Sequence, residues 1–289
     1  MEMRADKVEG TRWAPPKDKG ADTSAAVSSF HAAIETLREA KQSAAQLLTF
    51  VKTYTPTPIR VMAHRLRREI RWQRDRRTPV REVFRNVYAK HGWGRGHTDG
   101  FYSGMGSDVI LARAYADNIR QYIEREGIRS IVDLGCGDYR VASLLVSDDV
   151  QYVGVDIVEE VISANRERHT GPNVRFQCLD IIRDPLPAGD LCLIREVFQH
   201  LSNAEILRVL PQLRDYKHVI FSDAQLPRSA TKKPNRDIAH GRDTRVWKYS
   251  ALFLDLPPFN VPTKLLFETE APQYVLQRGE RICTYRIWP

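Results

Sequence analysis

The chain has 289 residues, 42% of them hydrophobic and 28% charged, with a formal net charge of +8. That length accommodates one large domain plus an appendage, and the composition is ordinary for a soluble protein. No apolar run approaches the roughly 18 residues of a membrane span. The acids Glu2, Asp6 and Glu9 do not suit a signal peptide, and the four cysteines, with no CxxC pair, read as buried thiols of a cytoplasmic protein.

The charge is uneven along the chain. Residues 1–100 carry 20 Lys/Arg against 11 Asp/Glu, whereas the remainder carries 24 against 25. The basic excess therefore belongs to an N-terminal extension. Residues 1–23 lack periodicity and are expected to be a disordered tail. From Ser24 to Tyr54 the residues Val27, Phe30, Ile34, Leu37, Ala44, Leu48 and Val51 follow alternating three- and four-residue steps. This heptad-like stripe suits either a homodimer contact or packing on the protein's own domain. Thr55-Pro-Thr-Pro then breaks the helix.

Arg60–Arg77 holds eight arginines against Glu69 and Asp75, around a narrow apolar stripe of Ile59, Met62, Leu66 and Ile70. Such a helix can lie on an anionic membrane surface, bind an anionic acceptor, grip nucleic-acid phosphates, or pack its stripe on the domain. A short helix is expected over Pro79–His91. Two glycine-rich stretches with aromatics follow, His91–His97 and Phe101–Ser107, suggesting a lid or substrate wall as well as a plain linker. The basic helical extension is thus bounded at 24–100, and the main domain at 101–289.

Within that domain, a helix over Asp108–Glu126 precedes strands at 130–134, 151–155, 174–179, 189–194 and 217–222. Helical stretches at 139–146, 158–168 and 203–214 separate them. Alternating βα units of this spacing read as a doubly wound parallel sheet. Lys264–Thr269 and Arg281–Trp288 add two closing strands.

The stretch Ile131-Val-Asp-Leu-Gly-Cys-Gly-Asp organises the domain. A strand ending in Gly-x-Gly turns sharply and lets backbone approach a ligand. Asp156 ends the next apolar run, about 20 residues on, where an acid can accept from a ribose diol. An adenosine-containing cofactor is implied. The dinucleotide fingerprint would need a third glycine where Arg140 stands, which weakens an NAD reading. Asp133, just before the first glycine, could hold the ammonium of an amino-acid tail.

In these residues the chain resembles the class I S-adenosylmethionine-dependent methyltransferases, whose first motif has the form Asp-x-Gly-x-Gly. The resemblance implies a Rossmann-like seven-stranded α/β sheet ending in an antiparallel hairpin. It also implies cofactor contacts at Ser103, Gly104, Asp133, Gly135, Cys136, Gly137, Asp156, Ile157, Asp180, Ile181 and Arg195. Asp180 would receive the adenine amine, although it also suits a surface loop. The run Arg195-Glu-Val-Phe-Gln-His-Leu-Ser would pass beside the transferred methyl, and it lacks the Asn/Asp-Pro-Pro-aromatic run typical of enzymes methylating base amines. His200 is then the first choice of general base, with Asp223 second and Glu196 also facing the acceptor; His200 equally suits a cap for a helix starting near Ser202. The forty residues between Asp223 and Lys264 are expected to be an acceptor-binding insertion.

Together with Asn-Arg-Asp-Ile and Leu-Pro-Pro-Phe-Asn, these motifs are similar to a bacterial subgroup found among glycan and polysaccharide biosynthesis functions. The implied activity is O-methylation of a sugar hydroxyl on a glycan or glycolipid precursor, in the cytoplasm or at the inner face of the membrane. An RNA or other small-molecule methyltransferase and a non-catalytic partner subunit are the alternatives. His200, Asp223, Asp237 and His240 show no metal-ligand spacing, so no metal is assigned.

Overall fold

A computed structural model describes residue 35 and residues 57–96, 100–169, 171–270 and 279–289. The tail 1–23 and the Ser24–Tyr54 helix lie outside the described residues, except that Glu35 is helical. The chain divides into two compact units, Met1–Leu66 and Arg67–Pro289.

Helix α1 (Thr57–Asp75) and α2 (Val80–Ala89) are separated by a turn at Pro79, whose missing N–H suits a helix start. Within the second unit α1 buries Trp72 against Ile238 and Ala239, and α2 buries Val83, Phe84, Val87 and Tyr88. The apolar stripe of α1 is not the buried one: Met62, Leu66 and Ile70 are each more than 60% exposed. The reason lies on the opposite side of the helix, where Trp72 and Asp75 take the inward positions.

A short turn (Met105–Ser107) leads to α3 (Val109–Glu126), which ends at Gly127 in the left-handed region. The sheet follows: β1 (Ser130–Leu134), β2 (Gln151–Asp156), β3 (Val174–Cys178), β4 (Leu191–Arg195), β5 (His218–Gln225), β6 (Thr263–Glu270) and β7 (Arg281–Ile287). Its order is β3-β2-β1-β4-β5-β7-β6, with β7 antiparallel to both neighbours. This is the seven-stranded sheet with a closing antiparallel hairpin that the sequence resemblance implies. Its central strands are apolar on both faces, as a covered parallel sheet requires, and two clusters fill the layers above and below.

The helices depart from the sequence pattern in two places. The stretch 139–146 forms only a 3-10 turn at Ala142–Leu144. Tyr139 has φ of 61°, incompatible with α-helix, because its ring is drawn onto Tyr152, His169 and Phe176. The stretch 203–214 is α-helical only over α5 (Asn203–Val209), then tightens to 3-10 where Pro211 lacks a donor. Helix α4 (Glu159–Arg168) matches its pattern. β5 runs past 222 to Gln225, so Asp223 lies inside the strand, beside Cys283 of β7.

Candidate active site

The glycine loop between β1 and β2 is held by the backbone of β2 and by two side chains. Gly135 and Cys136 donate to Val155 O, Asn165 of α4 donates to Gly137 O, and Asp156 accepts from the N–H of Gly137 and of Val158. Both glycines sit in the left-handed region. A Cβ at Gly135 would lie 2.4 Å from a Val197 methyl, and one at Gly137 2.3 Å from Ser103 Oγ. The loop is thus closely roofed from two sides.

One roof is the strap 100–107. Asp138 N–H donates to Ser103 Oγ, Ser103 N–H donates to Asp138 Oδ2, and Tyr88 OH lies 3.1 Å from the same hydroxyl. Gly106 O accepts from Arg195 at 2.6 Å, and a Cβ there would strike the Glu196 carboxylate. The strap therefore brings Ser103 and Gly104 to the loop that carries Asp133, Gly135, Cys136 and Gly137. Beyond it, Tyr88 packs edge-on against Trp93 and Phe101, and Trp93 lies 5.3 Å from the His200 ring.

The acids of the loop are short of donors. Burial pushes the Asp133 carboxyl up to about 6, only partly offset by the Tyr152 hydroxyl and nearby Arg195. Burial likewise lifts Asp156 to about 6, against the backbone N–H groups it accepts from. Each carboxylate accepts fewer bonds than its lone pairs allow. An ammonium at Asp133 and a diol at Asp156 would satisfy them, so these residues fit an aminoacyl-nucleoside cofactor.

Asp180 and Ile181 follow β3. Asp180 accepts from Ile182 N–H and faces Arg183 at 3.7 Å, Ile181 is partly buried against the core, and Ile157 O takes Arg81. These positions flank the loop along the C-terminal edge of the sheet, where open α/β sheets bind ligands.

At the end of β4, Glu196 has φ of 56°, a strained conformation for a non-glycine residue. It pairs with Arg195 at 3.2 Å. His200 does not cap α5. Ser202 does, in a reciprocal capping box with Glu205. Instead His200 Nδ1 lies 3.0 Å from Gly241 O. A carbonyl only accepts, so Nδ1 carries the proton, and the Nε2 lone pair faces the Gln199 amide nitrogen at 3.5 Å. Burial lowers the imidazole pKa to about 4, so it is neutral at physiological pH.

Asp223 is fully buried and neither oxygen has a hydrogen-bonding donor; its neighbours Glu196 and, with opposite sign, Arg245 act on it through space. Burial, then Glu196, holds its carboxyl well above the usual range. Fully buried within β5, it lies behind the site rather than in front of it as a base. Gln199 Oε1 and Trp93 Nε1 are also buried without partners.

The insertion 226–262 is ordered by residues that sequence patterning did not single out. Buried Arg245 donates to the carbonyls of Phe198, Leu201 and Arg236 and to Asn203. It ties the insertion to the segment bearing His200. Asn235 binds Phe253 in both directions and also reaches Leu256 and Pro257. Arg245 has no sequence signal, because it acts across long separations, and Asn235 opens the Asn-Arg-Asp-Ile run without that run revealing its partners. Asn165 had one: a polar residue at an inward position of α4.

Among the described residues no group of three or more His, Cys, Asp or Glu could hold a metal ion.

Residues 131–216 match a family model described as a methyltransferase domain. No curated protein sequence matches the chain. Among solved structures, magnesium protoporphyrin IX methyltransferase from Synechocystis PCC 6803 with bound S-adenosylmethionine is 16% identical over 72% of this chain and 97% of its own, with a TM-score of 0.47. The N-methyltransferase NodS from Bradyrhizobium japonicum WM9 is 11% identical over 63% and 98%, at 0.43. Human N-acetylserotonin methyltransferase is 14% identical over 72% and 60%, at 0.45. None of these likenesses identifies an acceptor for this chain.

Proposed function

We propose that this chain is an S-adenosylmethionine-dependent O-methyltransferase acting on a sugar hydroxyl of a glycan or glycolipid precursor. The observation that carries the acceptor reading is the grouping at the end of β4. His200 offers a neutral ring nitrogen, Glu196 a half-buried carboxylate, and Trp93 an aromatic face beside them. Aromatic faces suit the apolar side of a sugar, and acceptor groups suit its hydroxyls.

The cofactor supplies an electrophilic methyl when bound. Asp133 would hold its ammonium, Asp156 its ribose, and Asp180 with Ile181 its adenine, while Gly135 and Gly137 would leave it room. With the cofactor bound, His200 Nε2 would accept the hydroxyl proton as the carbon–oxygen bond forms and the carbon–sulfur bond breaks to release the neutral thioether, and Gly241 O fixes the tautomer that makes this possible. Arg195 anchors the strap over both ligands. The test is transfer of labelled methyl to glycan or lipid extracts by purified protein: a methylated sugar supports the reading, and methylation confined to amines or RNA overturns it.

We read α1 as a peripheral contact with an anionic membrane. Its Met62, Leu66 and Ile70 are exposed, and the neighbouring Arg67, Arg74 and Arg77 are exposed cations. Among the described residues no helix is long and apolar enough to cross a membrane. Vesicle binding by the whole protein should fall on Leu66→Glu; unchanged binding would remove this role.

A further inference from the structure

Beside His200 lies a cluster of cations that the reaction above does not use. Asp243 sits among three guanidinium groups. Arg71 is committed to it, with Nε at 3.2 Å and Nη2 at 2.5 Å. Arg68 is not: its Nε stands 3.7 Å away, beyond hydrogen-bond reach, and is buried with no partner. The Arg68 guanidinium instead lies over Trp247, 4.5 Å from the ring centre. Arg242 gives one bond to Gly92 O at 3.2 Å and is otherwise exposed. Arg68 and Arg71 share the Asp243 carboxylate, and Arg71 and Arg242 both act on Arg68 with like charge. The other nearby charges do not cancel the excess: Asp75 pairs with Arg74, and Glu69 with Lys248.

The cluster is continuous with the candidate active site. Arg242 lies between Gly241, which fixes His200, and Asp243, which acts on His200 through space. Gly92, which receives Arg242, precedes the Trp93 that packs on His200. Trp247 is 39% exposed, so the face is open to solvent.

We propose that Arg68 and Arg242, with Trp247 against Arg68, form an anion subsite that takes a phosphoryl group of the acceptor. This rests on the methyltransferase reading and narrows it: the acceptor is a phosphate ester. Guanidinium groups match phosphate oxygens in geometry and charge, and a buried, unpartnered N–H gains most from a ligand acceptor. Asp243 orients Arg71 and competes with the ligand for Arg68.

The test uses the full chain and pyrophosphate as probe, titrated by calorimetry, with S-adenosylmethionine titrated separately. Wild type is expected to bind pyrophosphate. Arg242→Gln and Arg68→Gln should each weaken it about tenfold, the value of one charge-assisted bond. Asp243→Asn should tighten it, which a purely structural carboxylate would not do. Arg242→Gln, exposed and holding a single bond, is the variant safest for folding. Vesicles of phosphatidylcholine with and without phosphatidylglycerol separate the sources. Loss of pyrophosphate binding alone assigns a soluble phosphate ester, and loss of anionic-vesicle binding as well assigns a lipid phosphate. Wild type that ignores pyrophosphate, or variants that bind it as wild type does, overturn the subsite. Failure to bind S-adenosylmethionine overturns the methyltransferase reading whatever the phosphate result.

Discussion

Asp133→Asn should stabilise the free protein while crippling its cofactor site. The Asp133 carboxyl moves from an ordinary 3.8 to about 6 on folding, chiefly through burial. A folded pKa above the unfolded one means that the folded state binds more protons between those values. The penalty is absent below that window and complete above it. Roughly two units correspond to about 3 kcal/mol at neutral pH, an upper estimate because Asp133 is only half-buried. Asparagine removes that cost and still accepts from the Tyr152 hydroxyl, which donates at 2.9 Å. It cannot offer charge to an ammonium. Losing one charge-assisted pair costs about 2 kcal/mol, on the order of thirtyfold in affinity. Urea denaturation of the free protein and calorimetric titration of S-adenosylmethionine read the two effects. A variant no more stable than wild type, with undiminished affinity, would refute the assignment of Asp133.

His200→Ala should abolish methyl transfer and leave S-adenosylmethionine affinity nearly intact; retained turnover would remove the base. His200 titrates near 4 folded against 6.5 unfolded, so acidification through the range below 6.5 destabilises the native state. At pH 5 this amounts to about 2 kcal/mol, which His200→Gln should recover in paired urea titrations at pH 7.5 and pH 5. Cofactor affinity should fall as the pH drops through about 6, where Asp133 and Asp156 take up protons; titrations at a series of pH values would show it. Arg245→Met leaves the carbonyls of Phe198, Leu201 and Arg236 without their donor. It should cost about 4 kcal/mol in a denaturation curve and lower turnover more than cofactor affinity.

The sheet was legible in the sequence because its signals are local. Ile131-Val132 and Tyr152–Val155 are apolar runs closed by glycines or an acid, and Gly135 and Gly137 mark the turn where a Cβ would not fit. The expected helix over 203–214 runs through Pro211, where the chain instead tightens to 3-10. Tyr139 was not legible, because its left-handed backbone answers to three aromatic rings brought by other elements. Nor was the orientation of α1: the Ile59–Ile70 stripe has the better period, yet the single Trp72 takes the buried side against Ile238 and Ala239. The insertion 226–262 is held by Arg245 and Asn235 reaching across the fold, and a buried polar network leaves no periodic trace. His200 is singled out in the sequence by its chemistry alone, whereas the Gly241 carbonyl that sets its tautomer lies 41 residues away.

The central claim is that the glycine loop, Asp133 and Asp156 serve methyl transfer to a sugar hydroxyl. Mass spectrometry of products from purified protein, isotopically labelled S-adenosylmethionine and a glycan or lipid extract tests it most directly. The account predicts label on a sugar oxygen, lost with His200→Ala. Wild-type protein that binds S-adenosylmethionine yet labels no sugar in any extract would contradict it.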